Sequence, residues 1–164
     1  MELVEICYRS ESSARTWTSE FSLVQGPRTS RVEIERSVTG IDSMILVGEF
    51  GGVLASCCRL TRAPRQRAHL GLFCVRPHLQ SQGLGSELLE EALSVARQRF
   101  DANVISLQVL APRTELRAWY ERIGFHETGE RLSFSNAVGP TFALVGDLEF
   151  VIYERALNGS SNAL

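Results

Sequence analysis

The sequence has no long apolar run. No stretch approaches the ~20 consecutive apolar residues that a membrane-spanning helix needs. The N-terminal segment MELVEICYRS also lacks the apolar core of a secretory signal. These two absences predict a soluble, cytoplasmic protein that has no membrane partner.

The chain also lacks a strong charge of either sign. Its 17 basic and 19 acidic residues give a formal net charge of −2, so the molecule as a whole does not attract nucleic acid. Four arginines do cluster in the sequence, at Arg59, Arg62, Arg65 and Arg67. Because no aromatic residues alternate with them, we interpret this stretch as a solvated loop and expect no nucleic-acid partner.

Cysteines are few, and none has the spacing of a metal or redox motif. Cys7, Cys57, Cys58 and Cys74 match neither a zinc pattern nor Cys-x-x-Cys. Each lies in an apolar run, where a free thiol packs as a small hydrophobic group. We therefore expect no metal site. Because no His-Asp or His-Asn set is evident beside Cys74, we reject it as a nucleophile.

The length and composition are sufficient for one domain. With 164 residues, of which 44% are hydrophobic, the chain is able to fill a single core. The polar end NGSSNAL is typical of a frayed terminus. We expect one domain over 1–157 and a flexible tail over 158–164.

Hydrophobic spacing predicts strands and helices in mixed order. Gly51-Gly52 between two β-rich runs indicates a hairpin, and the helix after Gly83 carries an apolar stripe. A hairpin together with β-helix-β order favours a mixed α/β sheet. The predicted strands are 3–8, 44–50, 53–60, 69–75, 103–110 and 150–153, and the predicted helices are 11–21, 31–38, 84–100 and 114–123; residues 61–68 and 133–146 are predicted loops.

Two glycines stand at the beginning of the long helix, at Gly83 and Gly85. Without a Cβ, a helix start lets a bulky anion approach its free N–H groups. A P-loop is excluded because Gly85 is followed by Ser86-Glu87 and no lysine. A dinucleotide fingerprint is excluded because Leu88 stands where its third glycine or alanine belongs.

The remaining pattern is Gln80-x-x-Gly83-x-Gly85 after a strand, followed downstream by a helix with Tyr120 four residues before Gly124-Phe125. These two landmarks and their spacing resemble the GCN5-related N-acetyltransferase superfamily. The resemblance is strong over 44–125 and looser elsewhere. It implies a mostly antiparallel central sheet with helices on both faces, in which two central strands splay to form an acetyl-CoA cleft.

The resemblance implies acetyl-CoA as cosubstrate and assigns residues to it. The glycine turn would hold the pyrophosphate, and backbone groups of the splayed strand would pair with the pantetheine and polarise the acetyl carbonyl. An asparagine is common in the family at the start of the helix that carries the tyrosine, and Arg113 stands there in this sequence. A contact between Arg113 and CoA is therefore expected, but its detail is left open. The expected acetyl-CoA residues are Phe73, Cys74, Val75, Gln80, Ser81, Gln82, Gly83, Leu84, Gly85, Ser86 and Arg113.

Two residues are candidates for moving protons. A protonated Tyr120 suits the leaving thiolate, whose thiol has a pKa of about 8.5; the alternative is a tyrosine that only packs. His69, at the acceptor side, is a candidate base, although an uninvolved histidine fits equally well. Glu20 and Glu149 are lesser candidates.

The sequence thus predicts an N-acetyltransferase that transfers acetyl to a primary amine of a small molecule or peptide by direct attack. A non-catalytic acyl-CoA sensor remains the alternative. We expect a monomer or homodimer. The loop 133–146 and the segment 10–38 should line the acceptor pocket, and their few charges predict an acceptor that is not highly charged.

Overall fold

The structure is a computed structural model and describes residues 1–11, 16 and 19–157. The predicted tail 158–164 and most of the predicted helix 11–21 lie outside these residues. The helices are α1 Glu2–Arg9, α2 Arg31–Thr39, α3 Leu84–Phe100, α4 Thr114–Arg122 and α5 Phe134–Ala137, and the strands are β1 Ser43–Phe50, β2 Val53–Ala63, β3 Arg67–Val75, β4 Val104–Leu110, β5 His126–Ser133 and β6 Glu149–Ala156.

The N-terminal segment is a helix, so the predicted strand 3–8 is wrong. Its buried residues are Leu3, Val4, Cys7 and Tyr8, which recur at the spacing of one helical face. Glu2 and Glu5 in the first turn and Arg9 in the last suit the helix dipole. The β-branched composition of the run favoured a strand, but the spacing of its apolar residues is helical.

The described strands form one sheet in the order β1-β2-β3-β4-β6-β5. The predicted hairpin turns at Gly51 and Gly52, which have φ of 59° and 79° and so meet the positive φ that a type I′ turn requires. Strands β2 and β3 extend into the predicted loop 61–68 and leave only a short turn between Ala63 and Arg67. Strand β5 was not predicted, because HETGERLS is a polar run at the sheet edge.

The central strands β3 and β4 run parallel and then separate. Their register extends from Arg67 opposite Val104 only as far as Leu70 opposite Leu107. Just beyond, Leu72 has a φ of 49°, and the pairing of β3 with β2 shifts between Cys57 and Arg59. This bulge redirects β3 where it leaves β4, and the predicted splay of the central strands is confirmed.

Helices cover both faces of the sheet. On one face, α3 and α4 bury the largest core cluster, which includes Leu88, Ala92, Ala96 and Tyr120. On the other face, α1 packs Leu3, Val4, Cys7 and Tyr8 against β2 and β3. The segment near Val24 is joined to the loop 133–146 by a β-bridge to Ala143. Residues that alternate along β3 therefore face two different layers.

The two helices that carry the sequence landmarks form as predicted. The buried stripe of α3 is the predicted one, and Gly124, with a φ of 91°, follows the C-cap of α4. None of the helices described is long and apolar enough to cross a membrane.

Candidate active site

The glycine turn leaves the start of α3 open. Gly83 is the N-cap, has a φ of 87° and supplies no side-chain cap. A Cβ at this position would meet no atom within 4 Å, so a side chain there would project into open space. The first N–H groups of a helix have no acceptor inside it, so this end presents donors and a positive dipole end.

A groove of about 510 Å³ lies between this turn and α4. The turn side is formed by predicted residues, and the α4 side by residues that the sequence analysis missed. Their spacing at positions 115, 118, 119 and 122 places them on one face of a helix, and this spacing is the feature of the sequence from which the α4 side of the groove could have been predicted. The lining residues are Ser81, Gly83, Gly85, Ser86, Glu115, Ala118, Trp119 and Arg122.

Tyr120 lies in an aromatic cluster that connects the splayed strand to α4. Its ring packs 5.0 Å from Trp119, 5.4 Å from Phe125 and 6.3 Å from Phe73, measured between ring centroids. The side chain is 4% exposed. Burial raises the pKa of its phenol well above the ordinary value, and the positive charge of Arg113 opposes this only in part. Tyr120 is therefore protonated at neutral pH.

The end of β3 is held by side chains from two directions. The Tyr8 hydroxyl donates to the carbonyl of Phe73 at 2.7 Å. The Cys7 thiol and the Gln80 amide donate to the carbonyl of Val75 at 3.4 and 2.9 Å. Gln80 thus ties the glycine turn to the strand. These hydrogen bonds fix the end of β3 against α1 on one side and against the glycine turn on the other.

The four cysteines are buried free thiols, as predicted. Cys57 and Cys74 face each other across β2 and β3 with their sulfur atoms 3.6 Å apart. Hydrogen bonds with Cys57 and Cys7, together with burial, raise the pKa of Cys74 well above its ordinary value. A thiol that resists ionisation is a poor nucleophile.

A second cavity of about 320 Å³ opens on the other face of the sheet, where β3 and β4 begin to separate. Leu70 and Gly71 of β3 and Gln108 of β4 form its floor. Residues of the segments 10–38 and 133–146, which are predicted to line the acceptor pocket, lie together in the wall of this cavity. These segments contribute two charged side chains to the walls, Glu20 and Arg28, and two more, Arg9 and Arg59, come from α1 and β2.

His69 lies in this second cavity, on β3 opposite Ser106 of β4. Its Nδ1 is 3.4 Å from the Ser106 hydroxyl. Burial, reinforced by the positive charges of Arg59 and Arg28, lowers the pKa of His69 to about 4. The imidazole is therefore neutral at pH 7.

Glu20 is the centre of a buried ion-pair network. One carboxylate oxygen lies 2.6 Å from Arg9 and 3.7 Å from Arg28, and the other lies 3.1 Å from Arg113. Burial favours the neutral acid, but the three guanidinium groups outweigh it and lower the pKa of Glu20. A carboxylate held ionised in this way is a poor general base.

This network changes the interpretation of Arg113. The family resemblance implies a contact between Arg113 and CoA, but the guanidinium is directed to Glu20 and lies 5.8 Å from the ring centroid of Tyr8. Its side chain is only 9% exposed. Arg122, which lines the groove beside the glycine turn, is the arginine better placed for an anion there.

The sequence profile of the Acetyltransferase (GNAT) family matches residues 11–125. No curated protein matches the chain. Several solved structures resemble its fold. The smu.2055 protein from Streptococcus mutans has a TM-score of 0.69 at 17% identity, over 96% of this chain and 92% of that one.

Two further solved structures of acetyltransferases are similar in fold. One is the ribosomal-protein-S18-alanine N-acetyltransferase from Escherichia coli, with a TM-score of 0.64 at 20% identity over 86% of this chain and 85% of that one. The other is a GNAT family acetyltransferase from Elizabethkingia anophelis with acetyl-CoA bound, with a TM-score of 0.64 at 14% identity over 81% and 95%. With the family profile spanning the splayed strands, the glycine turn and the helix of Tyr120, the chain belongs to the GNAT acetyltransferase family.

Proposed function

We propose that this protein is an acetyl-CoA-dependent N-acetyltransferase that acts on a primary amine of a small molecule or peptide. The observation that carries the proposal is the separation of β3 from β4 after Leu70 and Leu107. A groove at the glycine turn lies on one side of this opening, and a cavity lined by His69 lies on the other. Two substrates can therefore approach one point from opposite faces.

The groove has the donors that a pyrophosphate needs. The open N-terminus of α3, the absence of a side chain at Gly83 and the guanidinium of Arg122 together favour an anion. Gln80 fixes the turn against β3. In this proposal the N–H groups of Phe73 to Val75 contact the pantetheine arm, and the thioester supplies an activated acetyl group.

The amine attacks the thioester carbonyl directly, and two protons must move. An amine with the pKa of lysine is neutral in only about one molecule in 10³ at pH 7, so it must lose a proton first. His69 lies in the second cavity, which is the acceptor cavity of this proposal, and it is neutral at pH 7. With a pKa of about 4 it is too weak a base to hold the proton of the amine, so in this proposal it orients the amine and relays that proton to water. Tyr120 remains protonated and donates to the leaving thiolate.

The test is CoA release from acetyl-CoA with a panel of primary amines. The chain itself contains no lysine, so the acetyl acceptor in each assay is the added amine or, at most, the N-terminus. Turnover with any amine, abolished by loss of the glycine turn, supports the proposal. Tight acetyl-CoA binding without turnover across the panel would overturn it in favour of the sensor.

A further inference from the structure

Positive charge exceeds negative charge around the acceptor cavity. Its walls carry three arginines, Arg9, Arg28 and Arg59, against the single carboxylate of Glu20. That carboxylate is already shared with Arg9 and with Arg113, which lies behind the wall. The remaining guanidinium groups therefore lack a full counter-charge.

Arg59 is the least satisfied of them. Its Nε is buried and has no hydrogen-bond partner, and among the residues that the structure describes no carboxylate is within ion-pair distance. The guanidinium lies over β3, where a methyl group added at Gly71 would come within 3.5 Å of Nη2. It is thus held at the point where β3 leaves β4.

Arg28 faces the same space with a weak partner. Its Nε lies 3.7 Å from Glu20, beyond hydrogen-bond distance, and is buried without an acceptor. The guanidinium packs 4.9 Å from the ring centroid of Tyr8. This stacking holds the group in place but leaves N–H donors for another acceptor.

The two guanidinium groups act on each other and on their neighbours. Burial and the charge of Arg28 lower the pKa of Arg59, and Glu33 at the start of α2 opposes this only in part. Both arginines also contribute to the lowered pKa of His69. Two like charges confined in a partly buried space, with unused donors, form a site that an anion would stabilise.

Much of the remaining lining is apolar. Phe134, Phe142 and Phe150 line it together with Val24 and Val138. These walls suit a hydrophobic body, and the two arginines suit a compact anion attached to that body.

We propose that the acceptor carries an anionic group, a carboxylate or a phosphate, which binds between Arg28 and Arg59 while its amine faces the opening between β3 and β4. An amino acid with an apolar side chain has this chemistry. This inference rests on the proposed function, since it describes the acceptor of that reaction.

The experiment compares acceptors that differ only in the anion. The pairs are L-phenylalanine with phenylethylamine, L-leucine with isoamylamine, and O-phosphoethanolamine with ethanolamine, each assayed for CoA release and for a thermal shift in the presence of CoA. The proteins are wild type, Arg59→Gln, Arg28→Gln and the control Arg62→Gln. Arg62 lies on the same strand but bonds the carbonyls of Arg99 and Phe100 at the end of α3.

We expect the charged member of at least one pair to be preferred. Arg59→Gln should lower kcat/KM for that member by roughly 10- to 100-fold and leave its uncharged counterpart unchanged, as loss of a charged hydrogen bond predicts. Arg62→Gln should keep the preference. Because Arg59 has no partner to lose, its variant should fold and melt at the same or a higher temperature.

The outcomes separate this inference from the proposed function. Preference for the amino acids assigns a carboxylate, and preference for phosphoethanolamine assigns a phosphate. Turnover that is equal within every pair overturns the anion site but leaves the acetyltransferase intact. Anion-dependent thermal shifts that Arg59→Gln abolishes, without turnover of any amine, support the site and overturn the proposed function.

Discussion

Tyr120 is enclosed by three aromatic rings, so removing its hydroxyl should leave the packing intact. If that hydroxyl protonates the departing thiolate, Tyr120→Phe should lower kcat by roughly 10²–10³-fold and leave the KM for acetyl-CoA nearly unchanged. Steady-state kinetics with an identified acceptor measure this.

Tyr153→Phe is the matched control for that variant. Tyr153 is also fully buried, but its hydroxyl bonds Glu121 and Arg117 away from both cavities. Its loss should leave kcat unchanged. If Tyr120→Phe keeps the full wild-type kcat between pH 6 and 9, Tyr120 only packs and does not donate the proton.

His69 should make the fold sensitive to mild acid. Its pKa is about 4 in the folded protein, and near 6.5 in an unfolded chain, so the unfolded state binds the proton more readily. The stability is therefore complete above pH 6.5 and is lost as the pH falls towards 4. Between pH 6.5 and 5 the loss should be about 2 kcal/mol.

Urea unfolding at several pH values measures this loss. His69→Gln should flatten the profile in that window, whereas the exposed His78→Gln should not change it. An unchanged slope in His69→Gln would show that other groups titrate there. Glu20 does not interfere, because its pKa is lowered: its stabilising effect is present above about pH 4.5 and is lost only as the pH falls below that value.

At the scale of elements, we expect acetyl-CoA binding to depend on the absence of a side chain at the start of α3. Gly85 lines the groove, and a side chain there would stand between the helix amides and an anion. We expect Gly85→Val to weaken acetyl-CoA binding by an order of magnitude or more in a thermal-shift titration, while the protein still folds.

Gly146→Val provides the control for Gly85→Val. A Cβ at Gly146 meets no atom within 4 Å, and this residue lies in the loop before β6. The variant should bind acetyl-CoA with wild-type affinity. Equal affinity in both variants would place the CoA site elsewhere.

The elements that the sequence predicted are those with strong local signals. The glycines of the hairpin, the apolar stripe of α3 and the glycine after α4 each follow from one stretch of chain. Strand β5 and the true nature of α1 did not follow. Strand β5 is a polar segment that is stabilised by its pairing with β6. The β-branched residues of the α1 segment favour a strand, whereas the spacing of its apolar residues is that of a helix.

The candidate site divides in the same way. The glycine turn is a contiguous motif and could be predicted, but the arginines of the proposed acceptor cavity come from three distant segments. Because Arg59 and Arg62 are close in sequence, the sequence alone places both in one cluster of arginines on a solvated loop. In a strand they face opposite sides, so Arg62 reaches α3 while Arg59 reaches the cavity.

At the scale of the whole molecule, Glu20 contributes stability that no exposed ion pair matches. Its neutral replacement, Glu20→Gln, removes the carboxylate that Arg9, Arg28 and Arg113 share in a buried site. We expect a loss of about 3 kcal/mol in the free energy of unfolding at pH 7, measured with urea.

Glu35→Gln is the comparison for Glu20→Gln. It removes a pair with Arg31 whose side chains are 59% and 85% exposed, and it should change stability by less than about 0.5 kcal/mol. Similar losses in the two variants would mean that burial adds nothing to the Glu20 network.

The same carboxylate has a mechanical consequence. Arg9 is the last residue of α1, which covers β2 and β3, and Arg28 stacks on Tyr8 of the same helix, whereas Arg113 follows the end of β4. Glu20 therefore connects the layer over β3 with the end of β4. Such a bridge restrains the angle at which β3 and β4 diverge. Without it, the angle would fluctuate while each side kept its own hydrogen bonds. In Glu20→Gln, amide hydrogen exchange should then be faster than in the wild type near Gly71 and Gln108, where β3 and β4 separate. The paired part of the two strands, up to Leu70 and Leu107, should be affected less.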